Sequence, residues 1–356
     1  MDRNKIKILI KNASSLKDTD WTGIEKLIKK FSNSGNKLHN KKYLKNKLVK
    51  SPFGNSYVAI INYGNKKFMG FASLTRKSFL YNNQISSSFE MGDIYLDKKL
   101  QGRFIFIKMI KKLMLNLEKK FDKGFVYGTP NNLSLLGFIR CGFSLSNYQL
   151  LNNFLPLRLD SLIKTKLLRF LLRYVGIIYI LLLKGYLKIF ALKNKLNFYQ
   201  INNTNNLQMN IKTSHNIQSQ KTKEYIKWRF FDNPHKYNFF SIKDNNKFVG
   251  YIVFSEKNRK YGRALYIVDY FFDQKYENYF INVMSEIILK KYNLNNYYHL
   301  SSWISKKSKF YKNLKFILPF TSIKIPFIVY KKLTKKCFLD VDKKNIHFVF
   351  GDGDNI

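Results

Sequence analysis

Glu90-Met-Gly-Asp93-Ile-Tyr95-Leu96-Asp-Lys-Lys-Leu-Gln101-Gly102-Arg103-Phe104-Ile105-Phe106 is the stretch on which the fold depends. Ser88 to Leu96 predicts a strand, and Lys98 to Arg103 a short basic loop. From Ile105 onward a helix is predicted, because Ile105, Phe106, Met109, Ile110, Leu113, Met114 and Leu117 recur at three- and four-residue steps with lysines between them. A glycine-containing loop that opens straight into a helix leaves the first N–H groups of that helix unpaired, and the macrodipole favours negative charge there. A pyrophosphate suits such a place.

Downstream, Tyr127-Gly-Thr-Pro-Asn131-Asn-Leu-Ser134-Leu-Leu-Gly-Phe138-Ile-Arg-Cys-Gly142-Phe143 predicts a second strand running into a second helix. Together the two stretches resemble the GCN5-related N-acetyltransferases, whose fourth strand, pyrophosphate loop and third helix follow this plan. In the family's loop pattern, Gln/Arg-x-x-Gly-x-Gly/Ala, Gln101 matches the first position, while Phe104 and Phe106 stand where the family has small residues. Asn131, Ser134, Phe138, Gly142 and Phe143 fall in register with the family's last acetyl-CoA element. A Pro-Asn turn capping an ordinary amphipathic helix explains the same residues without a ligand.

The chain has 356 residues, more than one hydrophobic core usually spans, so two domains are expected. Spacing alone suggests that the second half repeats the first. Tyr43 precedes Lys47 and Pro52 as Tyr225 precedes Arg229 and Pro234. Asp93 leads to Asp97, Lys99 and Phe104 by the same intervals as Asp269 to Asp273, Lys275 and Phe280, and Phe138–Phe143 matches Tyr311–Phe316. The expected fold class is therefore α/β (α+β), with two tandem acetyltransferase-like domains, each a mixed central sheet flanked by helices. An acetyl-CoA-binding domain is expected over 1–154, a basic apolar helical linker over 155–200 and a degenerate copy with an acidic tail over 201–356. In that copy Tyr276-Glu277-Asn-Tyr279 lacks glycine and puts a carboxylate where phosphates would sit.

Within the linker the apolar run Tyr174 to Leu183 is only ten residues, against about 20 for a membrane-spanning helix. Two readings stay open for it: an interfacial amphipathic helix on an anionic membrane, or a helix buried between the domains. Sixty-four Lys and Arg against 22 Asp and Glu leave a net charge of +42, which attracts polyanions and anionic surfaces. The basic residues are spread along the chain, so nucleic acid is a disfavoured partner. Two cysteines, Cys141 and Cys337, and a charged opening from Met1 to Ile10 point to a cytoplasmic protein, peripheral on the inner membrane face if the linker is interfacial. Five scattered histidines show no ligand spacing, and no metal is expected.

The resemblance implies acetyl transfer from acetyl-CoA to an amine acceptor. Gln101, Gly102, Arg103, Phe104 and Ile105 would hold the pyrophosphate, and Asn131, Ser134 and Phe138 the rest of the coenzyme. The backbone N–H groups of Tyr95 and Leu96 would polarise the thioester. Glu90 is the first candidate for the base and Asp93 the second, turned by strand alternation to the opposite face. Tyr127 would protonate the thiolate, since Phe138 replaces the family's usual Tyr. Asp352 and Asp354, two acids in a basic chain, are candidates for holding a cationic acceptor, such as an amino sugar of surface polysaccharide. The rivals are a cell-wall transferase using aminoacyl-tRNA and a degenerate transferase that only binds a partner. Acyl length stays open.

Overall fold

The structure is a computed structural model that describes residues 5–31, 40–81, 84–102, 104–146, 150–162, 165–205, 207, 209, 217–259, 262–322, 327–333 and 346–349. In chain order the first half runs β1 (Ile6–Asn12), α1 (Asp18–Lys29), α2 (Lys41–Val49), β2 (Tyr57–Tyr63), β3 (Lys66–Tyr81), β4 (Gln84–Leu96), α3 (Ile105–Glu118), β5 (Phe125–Gly128), α4 (Asn132–Arg140), β6 (Ser144–Leu145) and β7 (Leu150–Pro156). Then come α5 (Lys166–Ala191), β8 (Asn197–Ile201), β9 (Ile217–Ser219) and α6 (Lys223–Ile226). The chain continues as β10 (Asn238–Asp244), β11 (Lys247–Arg259), β12 (Gly262–Phe272), α7 (Phe280–Lys291), β13 (His299–Ser305), α8 (Phe310–Ile317), β14 (Phe320–Thr321) and β15 (Val329–Lys332).

The repeat read from spacing is present as architecture. β2, β3 and β4 pair antiparallel in sequence and β4 pairs parallel with β5; β10, β11, β12 and β13 do the same. Each copy inserts one helix between its last antiparallel strand and the parallel one, as a parallel connection requires. In the first hairpin Tyr63 faces Lys66, so only Gly64 and Asn65 make the turn. Gly64 adopts φ +53°, the left-handed region open to glycine.

Two compact units emerge, and they interleave along the chain. One holds 1–149, 216–235 and 326–344; the other holds 150–215, 236–325 and 345–356. A division in chain order, at 154 and 200, does not reproduce this, because each sheet takes its closing strand from the other half of the sequence. The first unit's sheet runs β1-β2-β3-β4-β5-β15-β6, with β9 on the outer part of β3. The second runs β14-β7-β13-β12-β11-β10-β8. β7 pairs with β13 along its whole length, Leu150–Pro156 against Ser305–His299, so burial of its backbone polar groups is satisfied there.

The first unit has a core on each face of its sheet. Ile105, Met109, Ile110, Leu113, Met114 and Leu117 of α3 pack with Ala72, Leu74, Phe89 and Met91 on one face. On the other, Trp21, Ile24, Leu27 and Ile28 of α1 and Tyr43, Leu44 and Leu48 of α2 cover Val58, Ile60 and Phe71. The helix α1 is closed by Asp20, whose carboxylate accepts the Lys17 N–H at 3.1 Å.

In the second unit His299 opens β13 beneath the rings of Tyr298 (4.2 Å) and Tyr266 (5.6 Å). Burial first, and then the Arg259 charge, push its imidazole down from 6.5 to about 4. The unfolded chain therefore binds the extra proton between those values, so stability is lost as pH falls through the window. Urea midpoints should fall from pH 7 to pH 5 more steeply in the parent than in His299→Gln; equal slopes would contradict this.

The linker forms one helix of 26 residues, α5. Among its described side chains only Ile180, Leu183 and Leu187 are buried, against the second unit's core. The apolar stretch is also longer than the ten residues counted from sequence: Phe170–Ala191, 22 residues, is long and apolar enough to cross a membrane. Lys184 and Lys188, which break the run in sequence, are diluted over a helix this long.

Candidate active site

β4 and β5 are neighbours for only four residues, Ser88–Met91 against Phe125–Gly128. Beyond Met91 β4 runs on to Leu96 paired with β3, while the chain after Gly128 turns away into α4. A cleft thus opens between the carboxyl ends of two parallel strands, the usual place for a ligand in such sheets. At its neck the backbones are close: a Cβ on Gly128 would lie 3.2 Å from the Met91 carbonyl oxygen and 3.5 Å from the Phe138 ring.

Successive N–H groups of a strand point to opposite neighbours. Because the Asp97 N–H donates to the Met69 carbonyl of β3 at 2.9 Å, the Leu96 N–H and C=O turn the other way, toward the cleft. The Leu96 carbonyl accepts from the Gln101 side-chain amide at 3.0 Å, which fits that direction. Of the two backbone donors expected from sequence, Leu96 faces the cleft and Tyr95 faces β3.

A helix starts at each lip of the cleft, and the two starts differ. At α4 the Asn131 carboxamide oxygen accepts the Ser134 N–H at 3.0 Å and the Ser134 hydroxyl at 2.9 Å, so this pair caps its own helix. At α3 the N-cap is Phe104, which makes no side-chain cap bond, and the first turn holds no acid. That helix start is the one left open to an anion. Gly102 at φ +72° and Phe104 at φ +59° are both left-handed. Phe104 therefore adopts a conformation that favours glycine, with its ring largely exposed, while Ile105 is buried. Phe106 fills the space over Gly137, where a Cβ would meet its ring at 2.6 Å, and packs edge-on against Phe138, 5.7 Å between centroids. Arg103, Asp352 and Asp354 lie outside the described residues.

The sheet face toward α1 and α2 carries buried charge. Glu90 of β4 stands opposite Thr75 of β3 and beside Tyr127 of β5. Its carboxylate lies 3.2 Å from the Lys77 ammonium, which sits 5.2 Å from the centre of the Trp228 ring. Trp228 is fixed in turn by its indole N–H, which donates to the Asn46 carbonyl at 2.8 Å. Asp93 pairs with the Lys47 ammonium at 2.6 Å and accepts from the Ser73 hydroxyl at 2.8 Å. All four charged side chains are buried.

Strand alternation had placed Asp93 on the opposite face from Glu90, and the structure corrects this. A bulge interrupts the β3–β4 register, with Phe71 opposite Tyr95 but Ser73 opposite Gly92, and Asp93 takes φ +48° within it. The extra residue resets the alternation, so both carboxylates share one face. Tyr127 joins them there, against Phe79 at 5.4 Å. Lys47, Ser73 and Lys77 were not picked out from sequence as part of the site. The signal was the alternation Ser73-x-Thr75-x-Lys77 within an otherwise apolar strand, which marks one face as polar.

Removing one member of a buried pair leaves the other charge uncompensated. Lys47→Met should accordingly lower unfolding free energy by roughly 3–5 kcal/mol, and Lys47→Met with Asp93→Asn by clearly less. A denaturant series on the three proteins reads this directly; equal stability of all three would contradict it.

In the second unit the corresponding cleft is filled. β12 and β13 pair over Ala264–Ile267 against His299–Ser302. Beyond that point Tyr270, Phe272, Phe280 and Phe310 close into an aromatic cluster, with centroids 4.7 to 6.2 Å apart, and all four are buried. His347 joins it, 3.1 Å from the Tyr270 carbonyl. Among the described residues no group of His, Cys, Asp and Glu could hold a metal.

No family model and no curated protein matches the sequence. Solved structures do match. A probable N-acyltransferase from Enterococcus faecalis V583 is 10% identical, with 92% of this chain and 72% of that one covered and a TM-score of 0.59. A GCN5-related N-acetyltransferase from Anabaena variabilis is 11% identical, covers 92% and 73%, and has a TM-score of 0.59. Saccharomyces cerevisiae N-myristoyltransferase with bound myristoyl-CoA is 11% identical, covers 95% and 88%, and has a TM-score of 0.60. At these identities the likeness is one of fold.

Proposed function

We propose that this chain, which carries the fold of the GCN5-related N-acetyltransferases, is an acyl-CoA-dependent N-acyltransferase working from its first unit. The observation that carries the reading is the cleft between β4 and β5 with an uncapped helix start at its lip. An extended pantetheine arm suits the free edge of β4, adding to it as a further strand would. The pyrophosphate is assigned to Gln101, Gly102, Arg103, Phe104 and Ile105, where unpaired N–H groups and the helix dipole meet. Asn131, Ser134 and Phe138 are assigned to the other lip.

For the chemistry, the Leu96 N–H is assigned to the oxyanion that forms as the amine attacks the thioester carbon. Glu90 takes the proton that the amine must lose, and Tyr127 supplies one to the departing thiolate. Asp93, tied to Lys47 and Ser73, positions the bulge. The acyl group is assigned as acetyl, because Phe106 and Phe138 crowd the cleft wall. An amine is the acceptor; a nucleotide- or lipid-carried amino sugar is the narrower choice, since the basic surface attracts phosphate-bearing carriers.

The test is thiol release from acetyl-CoA by the full chain in the presence of nucleotide-linked amino sugars, free amino sugars and lysine-containing peptides. Release that depends on one of these amines is expected. No amine-dependent release with any of them, at saturating acetyl-CoA, would overturn the reading.

A further inference from the structure

The helix α5 presents an apolar surface that the second unit's core does not use. Ile180, Leu183 and Leu187 seat it on that core, and the Tyr179 hydroxyl donates to the Pro156 carbonyl at 3.0 Å. On the C-terminal half Leu181, Leu182, Tyr186 and Ile189 remain exposed. On the N-terminal half Phe170, Leu171, Tyr174, Ile177 and Ile178 are at the surface. The patch extends past the helix: the Tyr186 hydroxyl donates to the Phe316 carbonyl at 3.1 Å, and the exposed Phe316 ring lies 6.2 Å from Phe190. A contiguous apolar face of this size on a soluble surface marks a partner.

Charge decides which partner. Between Thr165 and Lys195 the sequence has seven basic residues, Lys166, Arg169, Arg173, Lys184, Lys188, Lys193 and Lys195, and no acid. A second copy of the chain would bring the same unbalanced charge against it, and the net charge of +42 adds to that repulsion. An anionic bilayer surface matches both features, apolar residues entering the acyl boundary and lysines meeting headgroups.

We propose that α5 docks on anionic membranes, lying in the interface and not crossing it. Its 22-residue apolar stretch would span about 33 Å at 1.5 Å per residue, enough for a bilayer core. Crossing is opposed by the seating: the same stretch contains Ile180, Leu183 and Leu187, and a spanning helix would carry the core they belong to, with its sheet, into hydrocarbon. The proposal does not depend on acyl transfer.

Flotation of the full chain with vesicles tests it. Vesicles of phosphatidylcholine with about one third phosphatidylglycerol should carry the protein upward, and pure phosphatidylcholine should carry at least tenfold less. Raising salt to 1 M, where screening shortens to about 3 Å, should release most of it. Replacing Ile177, Ile178, Leu181 and Leu182 by Ser, all at exposed positions, should cut flotation at least tenfold with an unchanged unfolding midpoint. Absence of flotation, flotation indifferent to these four changes, or concentration-dependent dimers that the changes abolish would each overturn the proposal. Resistance of membrane-bound protein to alkaline carbonate would overturn the interfacial mode.

Discussion

Glu90→Gln is expected to lower kcat by at least about 10²-fold, the lower end of what a positioned general base contributes, with acyl-CoA affinity unchanged. The carboxylate lies on the sheet face away from α3, where the pyrophosphate is assigned, so binding should not register its loss. The substitution also strips Lys77 of a partner 3.2 Å away in a buried place, which by itself destabilises the protein. Glu90→Gln combined with Lys77→Met separates the two effects. The pair should regain much of the parent's stability and none of its turnover. Recovery of turnover in that double variant would mean that Glu90 acts only as a structural counter-charge.

Gly102→Glu should weaken acyl-CoA binding at least 100-fold, by two routes that a companion substitution distinguishes. Gly102 sits at φ +72°, where a residue with a Cβ is disfavoured by about 1–2 kcal/mol. Nothing lies within 4 Å of the Cβ it would gain, so Gly102→Ala meets strain without a clash. Alanine is therefore expected to change affinity by no more than roughly tenfold, the factor that 1.4 kcal/mol represents, because its strain is common to the free and the bound protein. Glutamate adds a negative charge at an uncapped helix start that already lacks acids, opposing the phosphates it should receive. Equal affinities for the alanine and glutamate variants would remove the pyrophosphate from this loop. The left-handed strain acts in the folded chain with or without ligand, so the stability of both variants should fall by about 1–2 kcal/mol.

How much of this was legible in the sequence differs from element to element. The period of α3 and the alternation of the hairpins announced the order of elements, since buried faces impose 3.6- and 2-residue spacings. The repeat showed through Asp93 and Asp269, both at bulged places in their sheets. What spacing could not show was the bulge itself: one added residue, with Asp93 left-handed, reverses the face of everything after it and brings Asp93 round beside Glu90. The exchange of β7 and β15 was hidden as well, because a strand's sequence carries its own period and not the identity of its neighbour. The ammonium partners of the two carboxylates came from α2 and β3, far along the chain, and only burial identifies them. For α5 the difference was one of length: Arg173, Lys184 and Lys188 interrupt the sequence run without ending the helix.

One of the two copies is assigned the acyl-CoA, and the other has no room for it at the corresponding place. The first keeps an open strand edge and an uncapped helix start; the second fills the same place with Tyr270, Phe272, Phe280 and Phe310. Isothermal titration of the full chain with acetyl-CoA measures this most directly. The account expects one equivalent bound per chain, lost in Gly102→Glu and retained in Phe280→Leu. Two equivalents, none, or one equivalent that survives Gly102→Glu would contradict it.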